Sequence, residues 1–261
     1  MNLRHSTVLI TGGTNGIGWE FGKQFLQEGA TVIVTGRNTE KLEQTRKQLP
    51  GIHAFHCDLN IPQDIEKVSR QIIAQFPDLN IIVNNAGIMT SVGLTDESIN
   101  IDNVADEIET NFSGTVRMVH AFLPHLLQKT SAAIVNVTSG LAFIPFTISP
   151  IYCGTKAGIH VYSQGLRLKL KDTGVKVFEV APPKTNKPLQ TAIPESSSPS
   201  DMKVDKMVKI AIHGILKDKL EIRPGLSNVM KWMSRIAPDF FTKLINKNIE
   251  KARAKALTKV S

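Results

Sequence analysis

The chain lacks almost everything that would tie it to the cell exterior or to a bilayer interior. It holds only two cysteines, Cys57 and Cys153, too few for a disulfide framework, so both are expected to remain thiols in a reducing cytoplasm. No apolar run reaches the roughly 20 residues that a membrane-spanning helix requires. Met1 to Ser6 is polar and leads straight into a strand-like segment, so no signal peptide is expected. Internal repeats and an interdomain linker are missing too. Acidic residues run short in one place: from Arg223 to Ser261 there are nine Lys/Arg against two Asp/Glu. The first 222 residues carry 22 basic and 21 acidic groups, so all but one unit of the net charge of +8 belongs to the tail. A uniformly basic nucleic-acid-binding domain is therefore not expected. Nor is a metal site: His53 and His56 are three apart in a predicted strand and face opposite sides of the sheet.

What is present is an alternation of apolar strands and helical patterns, which predicts a parallel sheet covered on both faces. Strands are expected near 7–11, 31–35, 52–57, 80–84, 132–138, 175–181 and 219–222. Helices are expected near 16–28, 39–48, 62–76, 102–128, 150–173 and 201–217. Right-handed crossovers make this a doubly wound α/β sheet whose ligands bind beyond the carboxyl ends of the strands. A single body over 1–222 and a helical extension over 223–261 account for the whole chain.

Two motifs carry chemistry. The first strand, Thr7 to Thr11 (TVLIT), runs into T-G-G-T-N-G-I-G with Gly12, Gly13, Gly16 and Gly18, and an amphipathic stretch follows. Glycines let a backbone approach a pyrophosphate, and free amides at a helix start favour its negative charge. Thr14, Asn15 and Ile17 belong to the same turn. The second motif is Y-C-G-T-K, with Tyr152 and Lys156 one helical turn apart and Ser139 thirteen residues upstream. Residues four apart share a helix face about 6 Å from each other, so the Lys156 ammonium is expected to lower the Tyr152 phenol from its ordinary value near ~10. After the second strand the sequence reads V-T-G-R-N. The acidic residue that an NAD site uses on the ribose 2′-hydroxyl is absent, and Arg37, with Asn38 beside it, offers a guanidinium suited to a 2′-phosphate. NADP(H) is the expected cofactor over NAD(H); the competing reading is that Arg37 is a solvated loop charge.

Taken together, T-G-x-x-x-G-x-G at 11–18, N-N-A-G at 84–87, Asn111, Ser139 and Y-x-x-x-K at 152–156 resemble the short-chain dehydrogenase/reductase family over roughly residues 6–185. Within it, V-T-S-G-L-A-F, Y-C-x-T-K-A and A-P-P resemble the bacterial DltE-type oxidoreductases. The resemblance implies a Rossmann-like sheet of seven strands in the order 3-2-1-4-5-6-7. It implies hydride transfer between nicotinamide and a small-molecule carbonyl or alcohol, with Tyr152 as general acid/base and Ser139 bonding the substrate oxygen. Lys156 would also bond the nicotinamide ribose, and Asn111 would hold a water linking Lys156 to solvent. Asp58, next to Leu59, would bond the adenine amino group, and Asn85, Ala86 and Gly87 would combine sheet support with ribose contact. Pro182 and Thr185 stand where the family contacts the carboxamide and phosphates; the family's usual threonine is replaced by Lys187, which either meets phosphate or points to solvent. Thr191 to Asp201 occupies the substrate-lid position, with an ordinary loop as the alternative. A homodimer or homotetramer through 102–128 and 150–173 is likewise implied by likeness.

The tail beyond 223 repeats apolar residues at three and four spacing from Leu226 to Ile249, with Pro238 interrupting. One or two amphipathic helices result. Three uses compete: packing on the body near the substrate cleft, a partner or dimer contact, and peripheral contact of 224–261 with an anionic membrane face. The rival to an enzyme is a non-catalytic NADP(H)-binding sensor or scaffold docking through this tail. The Ser-Tyr-Lys set argues against it, since a sensor needs no acid-base pair.

Overall fold

The computed structural model describes residues 3–90, 101–186 and 201–257, with the side chains of 101, 103 and 248–257 left aside. In chain order the elements are β1 (Thr7–Thr11), α1 (Gly16–Gln27), β2 (Thr31–Gly36), α2 (Thr39–Gln48), β3 (His53–His56), α3 (Pro62–Gln75) and β4 (Leu79–Asn84). They continue with α4 (Ile101–Ile108), α5 (Gly114–Leu126), β5 (Ala132–Val137), α6 (Pro150–Lys169), β6 (Val175–Val180), α7 (Val204–Leu216), β7 (Glu221–Ile222), α8 (Leu226–Ile236) and α9 (Pro238–Leu257). All seven strands pair in parallel, in the order β3-β2-β1-β4-β5-β6-β7. The expected Rossmann-like architecture is therefore the one adopted.

The inner strands β1, β2, β4 and β5 read as near-continuous apolar runs because both sheet faces are covered, and successive side chains go to opposite sides. Val8, Ile10, Val32, Val34, Ile81 and Val83 join the core under α1, α2 and α7. Leu9, Ile33, Ile82 and Ile134 join the one under α3, α5 and α6. The topological switch lies where β1 is flanked by β2 and β4, and there the β1–α1 turn and the end of β4 meet. Among the described residues no helix is long and apolar enough to cross a membrane.

One expected element is divided. The single helix predicted over 102–128 is interrupted by a π-turn at Glu109–Ser113, closed by the Gly114 amide on the Glu109 carbonyl. The sequence conceals this, because one inserted residue leaves the apolar stripe almost unchanged. Gly114 permits it: a Cβ there would lie 2.8 Å from Cβ of Leu59. The inserted residue turns Asn111 inward to complete burial, as π-bulges often do at functional sites. The break expected near Pro238 is real. Ala237, at φ −149° and ψ 71°, leaves the helical region just before the proline, and α9 begins on Pro238.

Candidate active site

Tyr152 and Lys156 lie on the first two turns of α6, which starts with Pro150 at its first position. Both side chains are buried. The Lys156 ammonium sits 5.7 Å from the Tyr152 ring centroid and donates to the Val137 carbonyl at the end of β5 at 2.9 Å. Ser139, two residues beyond β5, lies beside the Tyr152 phenol and acts to lower it, and its oxygen accepts from the Leu141 amide at 3.1 Å. Gly87 completes the grouping: a Cβ there would stand 3.4 Å from Nζ of Lys156 and 3.2 Å from Oδ1 of Asn111. The four residues singled out for catalysis thus converge at the carboxyl ends of β4 and β5.

Asn111 arrives by a different route from the one expected. Its Oδ1 accepts from the Ile88 amide at 2.8 Å, and its Nδ2 donates to the Ile88 carbonyl at 2.8 Å and to Oγ1 of Thr155 at 3.2 Å. The side chain is spent on joining the end of β4 to α6. Its backbone carbonyl accepts from Oγ1 of Thr115 at 2.8 Å.

The expected electrostatics need correction. Burial pushes the Tyr152 phenol above its ordinary value, and the influence of Ser139, which works downward, does not offset it. Burial also pulls the Lys156 ammonium down to about 8, against the carboxylate of Glu107, which works to raise it. Desolvation outweighs the cation in this pair because both groups are enclosed and the ammonium is directed at Val137.

The glycine turn is built for close backbone approach. Gly12 and Gly16 adopt φ of +64° and +56°, where side chains are strained. A Cβ on Gly18 would fall 2.3 Å from the Gly12 carbonyl and 2.4 Å from Nδ2 of Asn85. At the start of α1, Asn15 caps the Gly16 amide at 2.7 Å, and the first intrahelical bond begins only at Trp19. The Ile17 and Gly18 amides precede it, in the arrangement that suits a phosphate. Asn85 and Ala86 are tied to this turn: both amides donate to Oγ1 of Thr11 at 3.0 Å. Nδ2 of Asn85 reaches the carbonyls of Thr11 and Gly12. Thr14 lies against the end of β2, 3.2 Å from where a Gly36 Cβ would stand. Arg37 follows, exposed. The cradle fits a dinucleotide.

Other expected contacts are already partly engaged. Oδ1 of Asn38 caps α2 by accepting from Lys41 at 2.8 Å, and Oδ1 of Asp58 accepts from the Asn60 amide at 3.0 Å. Leu59 is buried against Gly114. The Pro182 carbonyl accepts from Gly140 at 2.8 Å, and Thr185 forms a bridge with Met202. Lys187 and the lid positions up to 200 lie outside the described residues.

Sequence reasoning missed Glu107. It is fully buried; the amide and hydroxyl of Thr90 donate to its Oε2, and its Oε1 has no hydrogen-bond partner. Burial raises its carboxyl, while Thr90 and then Lys156 work to lower it. Only its phase inside an apolar stripe could have flagged it. The two thiols pack, as expected of Cys153: burial raises Cys57 to about 12 and Cys153 to about 11. The His53 ring lies tilted against Phe76, whereas His56 faces Asp64.

Residues 6–198 match the model of the short chain dehydrogenases. The chain belongs to this family. An oxidoreductase of Bacillus subtilis (strain 168), DltE, is 43% identical over 183 residues, covering 70% of this chain and 73% of its own. An oxidoreductase of Staphylococcus aureus (strain MW2) is 33% identical over 203 residues, covering 77% and 85% respectively. Among solved structures, a short-chain dehydrogenase from Sphingobium yanoikuyae in complex with NADPH superposes with a TM-score of 0.78 at 27% identity, over 97% of this chain and 95% of that one. A Burkholderia phymatum member in complex with NAD, at 15% identity and TM-score 0.77 over 88% and 93%, shares the fold. This short-chain dehydrogenase is accordingly a nicotinamide-dependent oxidoreductase.

Proposed function

We propose that the enzyme reduces a partly apolar carbonyl compound with NADPH, Tyr152 acting as the general acid. The convergence of Ser139, Tyr152, Lys156 and Asn111 beside the glycine turn carries this reading. NADP(H) supplies the hydride when bound. Gly12, Thr14, Asn15, Gly16, Ile17 and Gly18 would hold its pyrophosphate, Asp58 and Leu59 its adenine, and Asn85, Ala86, Gly87 and Lys156 its nicotinamide ribose, with Pro182 and Thr185 at the carboxamide end. Arg37 is exposed beside Thr14 and makes no ion pair with another described residue, which supports a 2′-phosphate as its partner. A phenol raised by burial stays protonated at neutral pH, the form that delivers a proton to a forming alkoxide. Ser139 would bond the same oxygen as its charge develops. Asn111 would hold the water that links Lys156 to solvent. Met89, Leu141 and Phe146 pack against Tyr152, which favours an apolar substituent on the substrate.

The body at 1–222 is also read as a homo-oligomer: Val161 and Leu168 on α6 are 65% and 74% exposed. The outer side of the extension, with its excess of Lys and Arg, is read as a peripheral contact for anionic lipid. NADPH oxidation with a panel of ketones, aldehydes and quinones tests the main proposal. Turnover should fall by ~10²–10⁴-fold in Tyr152→Phe while NADPH still binds. Tight NADPH binding with no turnover of any compound by the wild type would overturn it.

A further inference from the structure

A second buried polar cluster lies beneath the Ser139 loop and plays no part in the chemistry just described. Glu179 in β6 is 1% exposed and His160 in α6 is 8% exposed. Oε1 of Glu179 accepts from the hydroxyl of Thr138, the neighbour of Ser139, at 2.7 Å. Oε2 meets Nδ1 of His160 at 2.7 Å. On its other side, Nε2 of His160 lies 2.7 Å from Nζ of Lys231 in α8 and 3.2 Å from Nε2 of Gln164. An ammonium can only donate, so Nε2 accepts and the ring proton sits on Nδ1, facing the carboxylate. A buried carboxylate is costly without a countercharge. Lys231 supplies it, one imidazole away.

The same lysine reaches the loop directly, with Nζ 4.6 Å from the Phe143 ring centroid. Two further contacts fix the extension to this loop. A Cβ on Gly140 would stand 2.8 Å from Oγ of Ser227 and 3.1 Å from Sδ of Met230, so α8 rests on bare backbone next to Ser139. Asn246 of α9 donates to the Pro145 carbonyl at 3.0 Å and accepts from the Thr147 amide at 2.8 Å. These contacts join residues 71 to 101 positions apart in the chain.

We propose that the chain of hydrogen bonds from Lys231 through His160 and Glu179 to Thr138 latches α8 and α9 onto the 140–147 loop. The helix pair thereby becomes the outer wall of the substrate site, and Lys231 and His160 are positioning residues for Ser139. The catalytic part of this statement rests on the proposed reduction chemistry; the latch itself does not. The latch also explains why a buried Glu–His pair is kept beside the site: it gives the extension a single seat, which apolar packing alone would leave free to slide.

Amide hydrogen exchange on the full-length protein tests the latch without a substrate. In Lys231→Met, peptides covering 140–147 and 226–236 should exchange about tenfold faster than in the wild type, with β1 and α1 unchanged. The affinity for NADPH should stay within about twofold, because the glycine turn is untouched. Lys231→Arg should restore protection. His160→Phe should give the same pattern, and the double variant should be no worse than either single one, as members of one network are not additive. With p-nitrobenzaldehyde as probe, Lys231→Met should lower kcat and raise KM. If the wild type turns over no carbonyl compound, the function reading fails while the exchange arm still decides the latch. Should His160→Phe not fold, Lys231→Met and its arginine counterpart decide alone. Wild-type exchange over 140–147 in Lys231→Met, or full additivity with His160→Phe, overturns the proposal.

Discussion

The two segments that flank the site, the glycine turn at 11–18 and the helix pair at 226–257, are held in opposite ways. The turn is shaped by backbone: positive φ at Gly12 and Gly16, and an approach at Gly18 that admits no side chain. The helix pair is shaped by side chains reaching distant partners, Lys231 to His160 and Asn246 to Pro145 and Thr147. A backbone cradle gives one geometry, as one invariant chemical group such as the pyrophosphate of the proposed cofactor would require. A wall fastened by a few side chains can be altered one residue at a time, which suits the part of an enzyme that chooses its substrate.

The contrast breaks most sharply at Gly18. Gly18→Ala forces a Cβ to within 2.3 Å of the Gly12 carbonyl and displaces Nδ2 of Asn85 from its two carbonyl partners. Overpacking of this kind costs about 1–3 kcal/mol, so melting should fall by roughly 2–10 °C. NADPH titration by fluorescence should show at least about a tenfold loss of affinity, as the phosphate cradle shifts. Gly165, in α6 with open space around its Cβ position, is the matched control and should tolerate alanine. Unchanged NADPH affinity in Gly18→Ala would falsify the assignment of the turn.

The same contrast explains what could be read beforehand. The strand runs, the glycine turn and the Tyr152–Lys156 pair are local patterns, and each seven-stranded boundary fell within a residue or two of its expected place. The exception is β7, which pairs only over Glu221–Ile222. The π-turn escaped because periodicity does not register one inserted residue. The direction of the Tyr152 shift escaped because spacing reveals the cation and not the burial. Glu107, Glu179 and His160 escaped because each looks like an ordinary helix or strand residue until the fold encloses it. The extension was legible as amphipathic helices broken at Pro238, but its partners, 71 to 101 residues away, were not.

Glu107, in α4 and outside both segments, sharpens the comparison, since it too is held by a side-chain contact, to Thr90, yet acts on the chemical pair. Its charge holds Lys156 up and also pushes the Tyr152 phenol up. Glu107→Gln, which keeps an acceptor for Thr90, should lower both. The alkaline limb of the pH–rate profile for carbonyl reduction should therefore move to lower pH. Stability should respond in the opposite sense. The folded carboxyl is raised by burial, so the wild type is favoured below the unfolded Glu value and loses that stability as pH rises through the folded one. Thermal melts at about pH 5 and about pH 8 should show the glutamine variant gaining on the wild type at the higher pH. A pH-independent difference would remove Glu107 from the electrostatics of the site.

The smallest effect is expected on the outer side of the helix pair. Its inner side carries Ser227, Met230, Lys231 and Asn246, whereas Trp232, Ile236 and Phe240 are 61%, 75% and 61% exposed on the other. Exposed positions with no fixed partner change stability by less than about 0.5 kcal/mol, so Trp232→Ser should leave melting within about 2 °C of the wild type. The same variant should lose co-sedimentation with vesicles rich in phosphatidylglycerol, because an interfacial tryptophan beside basic residues supplies much of such binding. The inner and outer sides would then be separable: Lys231→Met loosens the loop without affecting pelleting, and Trp232→Ser does the reverse. A wild type that pellets with neither anionic nor neutral vesicles removes the membrane reading, and a large drop in melting for Trp232→Ser would mean that the outer side is packed against another copy of the chain.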